Sequence, residues 1–228
     1  MMLHEARLIE LKEPDGTGVV NYIIPGMTGP SEECFYPYAD QMTGAVKLLD
    51  YAGCTWDAER YAEIIAADAQ YYQNVRVLGI SIGDKIAREL AGGVSGLEIY
   101  ALNPCANADQ VQVGGILRVT MPLAYVTVAA LGPISDIRVI PKDGMRRSWN
   151  ELVSQAWHIG YDDYGSFPEE MRGLILSRED QFLKNDVLIR EAEEAGLPVY
   201  WTAGAHVELF LDSPYVYLKP LRQMGMLR

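Results

Sequence analysis

Three short segments, far apart in the chain, contain the residue types of a nucleophilic hydrolytic site. Gly79-Ile80-Ser81-Ile82-Gly83 has the pattern G-x-S-x-G, Asp180 follows in the second half of the chain, and Gly204-Ala205-His206 comes later still. A serine hydroxyl becomes a strong nucleophile when a histidine takes its proton, and a carboxylate orients that histidine. The segments therefore predict covalent catalysis by Ser81, with His206 as base and Asp180 as orienting acid.

Whether a G-x-S-x-G pattern indicates a nucleophile depends on the elements that flank it. It marks an exposed nucleophile when a strand leads into it and a helix leads out of it. Val75-Arg76-Val77-Leu78 is an apolar run typical of a buried strand, and residues 84–91 are rich in helix-forming types. We therefore expect Ser81 to lie at a sharp turn between a strand and a helix.

Composition and charge narrow the class of protein. The 228 residues are 49% hydrophobic, enough for a sizeable core, and the net charge of -12 disfavours a phosphate-backbone partner. A small-molecule substrate is therefore expected, and nucleic acid is not.

The cysteines are odd in number and form no metal-ligand pattern, and the first residues show no signal-peptide pattern. These features predict a cytoplasmic protein without metal or cofactor, and they leave homodimer formation open.

Strands and helices alternate along most of the chain. We predict strands at 6–13, 19–24, 47–50, 75–79, 97–102, 173–177 and 198–202. Helices are predicted from Trp56 to about Gln73 with Thr55 as cap, directly after Ser81, and over 186–195. Such alternation predicts an α/β fold with a mostly parallel sheet covered by helices on both faces.

With this order of elements, the chain resembles the α/β-hydrolase fold superfamily over about residues 19–221. The family places its nucleophile after the central strand, its acid after a later strand and its histidine after the last strand; the matching residues are Ser81, Asp180 and His206. The resemblance implies an oxyanion hole made by the backbone N–H groups of Ile82 and Met27. Met27 lies in Pro25-Gly26-Met27-Thr28-Gly29, where proline replaces the family's usual histidine without removing the backbone donor.

The alternation stops between residues 106 and 171, where the family carries a cap. We therefore predict a core of residues 1–105 and 172–228, with 106–171 as an inserted cap. Its apolar stretch 119–134 is too short and contains too many prolines for a membrane span. Met121, Trp149 and Trp157 are predicted to contact substrate; the alternative is that they pack the insertion itself.

Several residues have more than one interpretation. The rivals of Asp180 for the role of acid are Glu179, Asp162 and Asp163. His158 is either a substrate contact or a packing histidine, and Cys105 is expected to be a buried, inert thiol. Asp84 either alters the field at the nucleophile or stabilises the N-terminus of the following helix.

The predicted function is a serine hydrolase that cleaves a small, largely apolar ester, thioester or amide. The same triad on this fold also supports carbon–carbon bond hydrolysis and cofactor-free peroxidation, so the resemblance does not choose a substrate. An alternative from another class is a non-catalytic binding or receptor protein that keeps the pocket. A third is that the apolar insertion forms an oligomerisation surface.

Overall fold

A computed structural model gives the fold of the chain. It describes residues 5–26, 32–51, 54–112, 138–139, 147–148, 154–155, 157–159, 161, 163–204 and 214–228. Five of the residues considered above lie outside these ranges: Met27, Met121, Trp149, Asp162 and His206. Most of the predicted cap, including residues 119–134, also lies outside them, so the boundaries of the cap stay a prediction.

One sheet of seven strands forms the centre of the described structure. The described residues form nine strands, of which seven belong to this sheet. In chain order the nine are β1 (Arg7–Lys12), β2 (Val19–Ile24), β3 (Ala45–Asp50), β4 (Asn74–Ile80), β5 (Leu97–Leu102), β6 (Arg138–Val139), β7 (Arg147–Ser148), β8 (Met171–Ser177) and β9 (Val199–Thr202). The large sheet has the order β1-β3-β2-β4-β5-β8-β9, while β6 and β7 pair separately. Strand β1 runs antiparallel to β3 at one edge, and the other neighbours in the large sheet are parallel.

Helices cover both faces of the sheet. They are α1 (Tyr36–Ala39), α2 (Ala58–Ala69), α3 (Gly83–Glu89), α4 (Asn185–Glu194) and α5 (Leu218–Gln223). Helices α2, α3 and α4 contribute to one core, with Ile65, Ile86 and Leu188 fully buried. Helices α1 and α5 contribute Tyr38 and Leu221 to a second core. The predicted fold class, a mostly parallel sheet between two layers of helices, is therefore confirmed.

Strand β4 lies in the middle of the sheet and is buried on both sides. Val75 and Val77 belong to the core under α2 and α3, whereas Leu78 and Ile80 belong to the opposite core. Alternation of side chains between the two faces explains why the strand reads as a continuous apolar run rather than an alternating one. The central position of β4 sets the place of the residues that follow it.

The order of the strands also fixes where a site can form. From β2 the chain continues to β3 on one side, and from β4 it continues to β5 on the other side, although β2 and β4 are neighbours. In open parallel sheets, ligands bind beyond the carboxyl ends of strands at such a switch point. The residues after β2 and β4 therefore lie beside a natural crevice.

The bounds of the observed elements lie within about two residues of the predicted ones, except at the end of α2. Strands β2 and β5 have the predicted bounds. Helix α2 begins at Ala58 rather than Trp56, because the Asp57 carboxylate, not Thr55, caps it by accepting the N–H of Arg60 at 3.0 Å. The helix also ends at Ala69, before the predicted Gln73. In the part of the chain that the structure describes, no helix is both long and apolar enough to cross a membrane.

Candidate active site

Ser81 occupies the sharp turn between β4 and α3 that its sequence predicts. Its backbone has φ of +53°, in the left-handed region that side chains other than glycine rarely adopt. The turn is fixed on both sides: the Ser81 N–H donates to the Leu102 carbonyl at 2.9 Å, and the Ser81 carbonyl accepts the N–H of Cys105 at 3.2 Å. Such a conformation costs about 1–2 kcal/mol and persists because the surrounding structure holds it.

The two glycines of the pattern allow the chain to pass close to its neighbours at this turn. A Cβ on Gly79 would lie 2.7 Å from the Asp84 Cα, and one on Gly83 would lie 2.5 Å from the Ile24 carbonyl oxygen. Both distances are shorter than real Cβ contacts, so either side chain would force the backbone apart. The glycines therefore let α3 pack directly against the ends of β4 and β2.

Gly26 brings the chain after β2 close to Ser81. A Cβ on Gly26 would lie 3.0 Å from the Ser81 Cβ and 3.7 Å from the Ser81 Oγ. The backbone of Gly26 thus forms one wall of the site, as expected for the residue preceding the predicted donor Met27, which itself lies outside the described residues. The other predicted donor, Ile82, directly follows Ser81 and has helical backbone angles at the start of α3.

Asp180 lies in the loop that follows β8. Its Oδ1 accepts the N–H groups of Phe182 at 2.8 Å and Leu183 at 3.0 Å, so the carboxylate is tied to the backbone of its own loop. Its side chain is half-buried, whereas the adjacent Glu179 is exposed. The rival Asp163 is also exposed and accepts the N–H of Gly165 in a surface turn. Of the described rivals, Asp180 alone combines partial burial with a position after β8.

The chain that leads to His206 runs beside this acid loop. Arg178 donates its N–H to the Thr202 carbonyl at 3.0 Å, and Glu179 donates to the Gly204 carbonyl at 3.1 Å. Gly204, which has φ of +90°, is therefore held next to the residue that precedes Asp180. His206 lies two positions further on and outside the described residues, so its assignment as the base stays a prediction.

Sequence reasoning did not single out Asn103 as a functional residue. Asn103 follows β5, is fully buried and has φ of +46°. Its side chain donates to the Ser177 hydroxyl at 2.8 Å and accepts the Ser177 N–H at 2.8 Å, which joins the ends of β5 and β8. The local pattern Asn103-Pro104 indicates only a turn, because asparagine tolerates positive φ and the pair is typical of turns; it does not indicate the contact with Ser177.

A buried charged cluster lies along α3, beneath the insertion. Asp84 is fully buried and its Oδ2 accepts the Nε of Arg88 at 2.8 Å. Burial raises the pKa of the Asp84 carboxyl, and the charges of Arg88 and Lys85 oppose that rise. Asp84 is therefore a buried ion-pair partner that lies in the first turn of α3.

The same helix binds the described parts of the insertion. The Lys85 ammonium donates to the His158 carbonyl and lies 5.3 Å from the centre of the Tyr164 ring. Arg88 donates to the carbonyls of Gly165 and Ser166, each at 3.3 Å. Because α3 begins directly after the turn that carries Ser81, these contacts tie the insertion to the helix that follows Ser81.

The structure also shows what surrounds Trp157, His158 and Cys105. The Trp157 ring stacks on Tyr161 at 4.3 Å, and the His158 ring lies 6.3 Å from the ring of the buried Trp56, which is a packing position. Cys105 is fully buried, and burial raises the pKa of its thiol to about 12. The thiol is therefore inert, as predicted.

A polar cleft of about 400 Å³ lies at the opposite edge of the sheet. It is lined at the amino ends of the strands by Val19, Asn74, Leu97, Glu98 and neighbouring residues. Glu98 pairs with Arg76 at 3.2 Å and lies 3.8 Å from Arg172, so one carboxylate faces two guanidinium groups in the cleft. The cleft is separate from Ser81, which lies at the carboxyl edge.

The fold is similar to that of solved proteins, while the sequence is distant from them. No protein-family model matches the chain, and no curated protein matches its sequence. A hydrolase from Pseudomonas aeruginosa PA01 is 14% identical, with a TM-score of 0.67 over 96% of this chain and 93% of its own. The type II thioesterase BorB of the borrelidin biosynthetic cluster is 16% identical, with a TM-score of 0.65 over 95% of this chain and 96% of its own.

A third similar structure is that of a protein with the α/β hydrolase fold. This α/β hydrolase fold protein from Burkholderia ambifaria is 15% identical, with a TM-score of 0.64 over 96% of this chain and 93% of its own. Similarity at such low identity concerns the fold and not the activity. Together with the central strand, the strained serine and the helix that follows it, the likeness leads to one conclusion: the chain has the α/β-hydrolase fold.

Proposed function

We propose that this protein is a serine hydrolase that cleaves a small, largely apolar ester, thioester or amide through an acyl-enzyme on Ser81. The observation that carries the proposal is the backbone of Ser81, with φ of +53° in a turn packed against Gly26. Strained backbone of this kind concentrates at functional sites, because a merely structural turn would use glycine.

In the proposed reaction, His206 accepts the proton of the Ser81 hydroxyl while the Ser81 Oγ attacks the carbonyl carbon of the substrate. Asp180 accepts the other imidazole N–H, which fixes the tautomer and stabilises the imidazolium. Two observations support these roles: the backbone amides of Phe182 and Leu183 fix one Asp180 oxygen, and Glu179 N–H holds Gly204 beside the acid loop.

The carbonyl oxygen becomes negatively charged as the Ser81 Oγ bonds to the carbon. The N–H groups of Ile82 and Met27 are proposed to bind this oxyanion, and one such donor is typically worth about 3–4 kcal/mol. When the intermediate collapses, the alcohol, thiol or amine leaves with the proton from His206. Water then attacks the acyl-enzyme with His206 again as base, which releases a carboxylic acid and restores Ser81.

The proposed substrate pocket lies between the sheet and the insertion, with Met121, Trp149 and Trp157 as its apolar contacts. Support comes from the segment that carries Trp157, because the next residue, His158, is bound through its carbonyl to Lys85 of α3. Apolar lining favours a small apolar acyl or leaving group. The likeness to a thioesterase keeps thioesters among the candidates.

Turnover of a panel of p-nitrophenyl esters, from acetate to octanoate, tests the proposal. We expect the wild type to hydrolyse the short esters, and the Ser81→Ala and His206→Ala variants to lose about 10⁴-fold or more in kcat, as triad members act together. Retained activity in either variant would overturn the assignment. A receptor on the same fold would show no turnover, and its ligand affinity would survive Ser81→Ala.

A separate test addresses the insertion as an oligomerisation surface. The mass of the protein in solution can be compared, by light scattering after size exclusion, with that of a variant lacking residues 106–170. If the folded variant has the same number of subunits per assembly as the wild type, the insertion is not the oligomerisation surface.

A further inference from the structure

Tyr51 is a buried phenol that reaches the loop in front of the predicted oxyanion donor. It is the first residue after β3 and is only 4% exposed. Since β2 and β3 are parallel neighbours, their carboxyl ends meet at one edge of the sheet. The Tyr51 hydroxyl lies 2.6 Å from the Pro25 carbonyl oxygen and 3.1 Å from the Gly26 carbonyl oxygen, so its one proton is shared between these two acceptors.

The Gly26 carbonyl belongs to the peptide unit that also carries the N–H of Met27. A trans peptide unit is planar and rigid, and its C=O and the following N–H point in opposite directions. A hydrogen bond that fixes the Gly26 carbonyl therefore restrains the direction of the next N–H. A Cβ on Gly26 would lie 3.0 Å from the Ser81 Cβ, so the Gly26 backbone lies close to Ser81.

We infer that Tyr51 is a positioning residue of the oxyanion hole, which acts through the Gly26 carbonyl and touches no reacting atom. The inference rests on the proposed serine-hydrolase function and adds to it a residue that the sequence patterns do not mark. Catalysis by an oxyanion hole depends on donors that are oriented before the charge develops, so an anchor on the far side of the peptide contributes to the transition state.

The Tyr51 ring is itself held firmly. It stacks on Tyr61 with ring centres 5.2 Å apart and meets the edge of Trp56 at 5.7 Å. All three side chains are buried. A rigid ring of this kind keeps its hydroxyl in place, which is what a positioning residue requires.

The test compares Tyr51→Phe with Tyr61→Phe as a matched control. Each variant removes one hydroxyl that donates to a backbone carbonyl within the same aromatic cluster, so their melting temperatures should fall by similar amounts. With p-nitrophenyl butyrate as probe, we expect Tyr51→Phe to lower kcat by about tenfold or more with KM within about threefold, because the loss acts on the transition state. Tyr61→Phe should keep kcat within about twofold.

A second readout reports on the oxyanion hole itself. A trifluoromethyl ketone inhibitor forms a tetrahedral serine adduct that carries the oxyanion, whereas the matching methyl ketone binds mainly without bond formation. Affinity for the trifluoromethyl ketone should fall in Tyr51→Phe by the same factor as kcat/KM, and affinity for the methyl ketone should change little. The ratio of the two affinities is measured on folded protein, so it is insensitive to a fraction of unfolded variant.

Two results would overturn the inference in different ways. Equal kcat losses and equal inhibitor ratios in the two variants would make Tyr51 a purely structural residue while leaving the serine-hydrolase proposal intact. A wild type that neither hydrolyses the ester nor binds the trifluoromethyl ketone more tightly than the methyl ketone would remove the proposed reaction, and the inference with it.

Discussion

The side chain of Asn103 and the residue Ser177 form a reciprocal pair of hydrogen bonds, each 2.8 Å long. Asn103 follows β5, the neighbour of the strand that ends at the nucleophile, and Ser177 ends the strand that leads to Asp180. The Asn103 N–H adds a third link by donating to the Ile175 carbonyl at 2.8 Å. The pair therefore sets the distance between the serine turn and the acid loop.

Replacing Asn103 with alanine should weaken both stability and turnover. The Ser177 N–H and hydroxyl would lose buried partners, which costs about 2–4 kcal/mol in the free energy of unfolding. Alanine also tolerates the positive φ less well than asparagine. We expect kcat to fall more than tenfold because the acid loop shifts relative to Ser81, as measured by urea unfolding and ester hydrolysis.

Asn107→Ala is the matched control for that prediction. Asn107 is also buried and makes two side-chain hydrogen bonds, to the Tyr164 N–H at 2.7 Å and the Gly165 carbonyl at 3.0 Å. These bonds hold the insertion and not the acid loop, so its loss of stability should be similar and its loss of kcat smaller. Equal losses of kcat would contradict the proposed role of Asn103.

Gly83→Ala should destabilise the protein because the added Cβ would meet backbone on two sides. It would lie 2.5 Å from the Ile24 carbonyl oxygen and 2.7 Å from the Pro25 carbonyl oxygen. We expect a loss of about 1–3 kcal/mol, typical of overpacking, with a matching loss of activity. Gly93→Ala is the control, since its nearest contact would be 3.6 Å away, and thermal melting of both variants should separate them clearly.

Asp180→Asn and Glu179→Gln together test the choice of acid. Asparagine at position 180 can no longer hold the required imidazole tautomer, so kcat should fall by about 10⁴-fold. Glu179 is exposed, and its backbone N–H, which a glutamine retains, makes the bond to Gly204. The Glu179→Gln variant should therefore keep nearly full activity. The reverse pattern would move the acid to the neighbouring residue.

Asp15 should make stability depend on pH at the acidic end. Its carboxylate accepts the Thr17 hydroxyl at 2.5 Å and the Gly44 N–H at 2.8 Å, and these bonds lower its pKa to about 2. A carboxyl whose pKa is lower in the folded state stabilises the fold above its unfolded-state pKa of about 4, and this contribution is lost as the pH falls towards 2. Asp15→Asn should therefore lower the free energy of unfolding at pH 6.

The difference between wild type and Asp15→Asn should shrink as the pH is lowered from 4 towards 2. Urea unfolding at a series of pH values measures it directly. A difference that stays constant over this range would mean that the carboxylate charge does not contribute.

The helices and strands that depend on local pattern could be predicted from the sequence. The strand that leads to Ser81 and the helix after it follow from apolar runs and helix-forming residues, and the bounds of β2 and β5 match because turn residues flank both. The predicted start of α2 at Trp56 was wrong because threonine and aspartate are both good helix caps, so the sequence offers Thr55 as well as Asp57. In the structure Asp57 is the cap, and Trp56 is buried outside the helix.

The residues that hold the site together could not be read from local pattern. Tyr51 and Asn103 each follow a strand, and their importance depends on which strand lies beside them in space. The sheet order that brings β2 next to β4, and β5 next to β8, is a property of the whole chain. Asp84 differs, because it lies four residues before Arg88 on α3, a local spacing that favours their ion pair, whereas its complete burial depends on the elements packed against the helix.

The most direct test of the account is phosphonylation of the protein by a small fluorophosphonate, followed by intact mass and peptide mapping, with Ser81→Ala as control. The account predicts a single adduct, on Ser81 of the wild type, and none on the variant, because only a serine with a working base reacts in this way. A folded wild type that forms no adduct, or forms one on another serine, would contradict the assignment of Ser81 as the nucleophile.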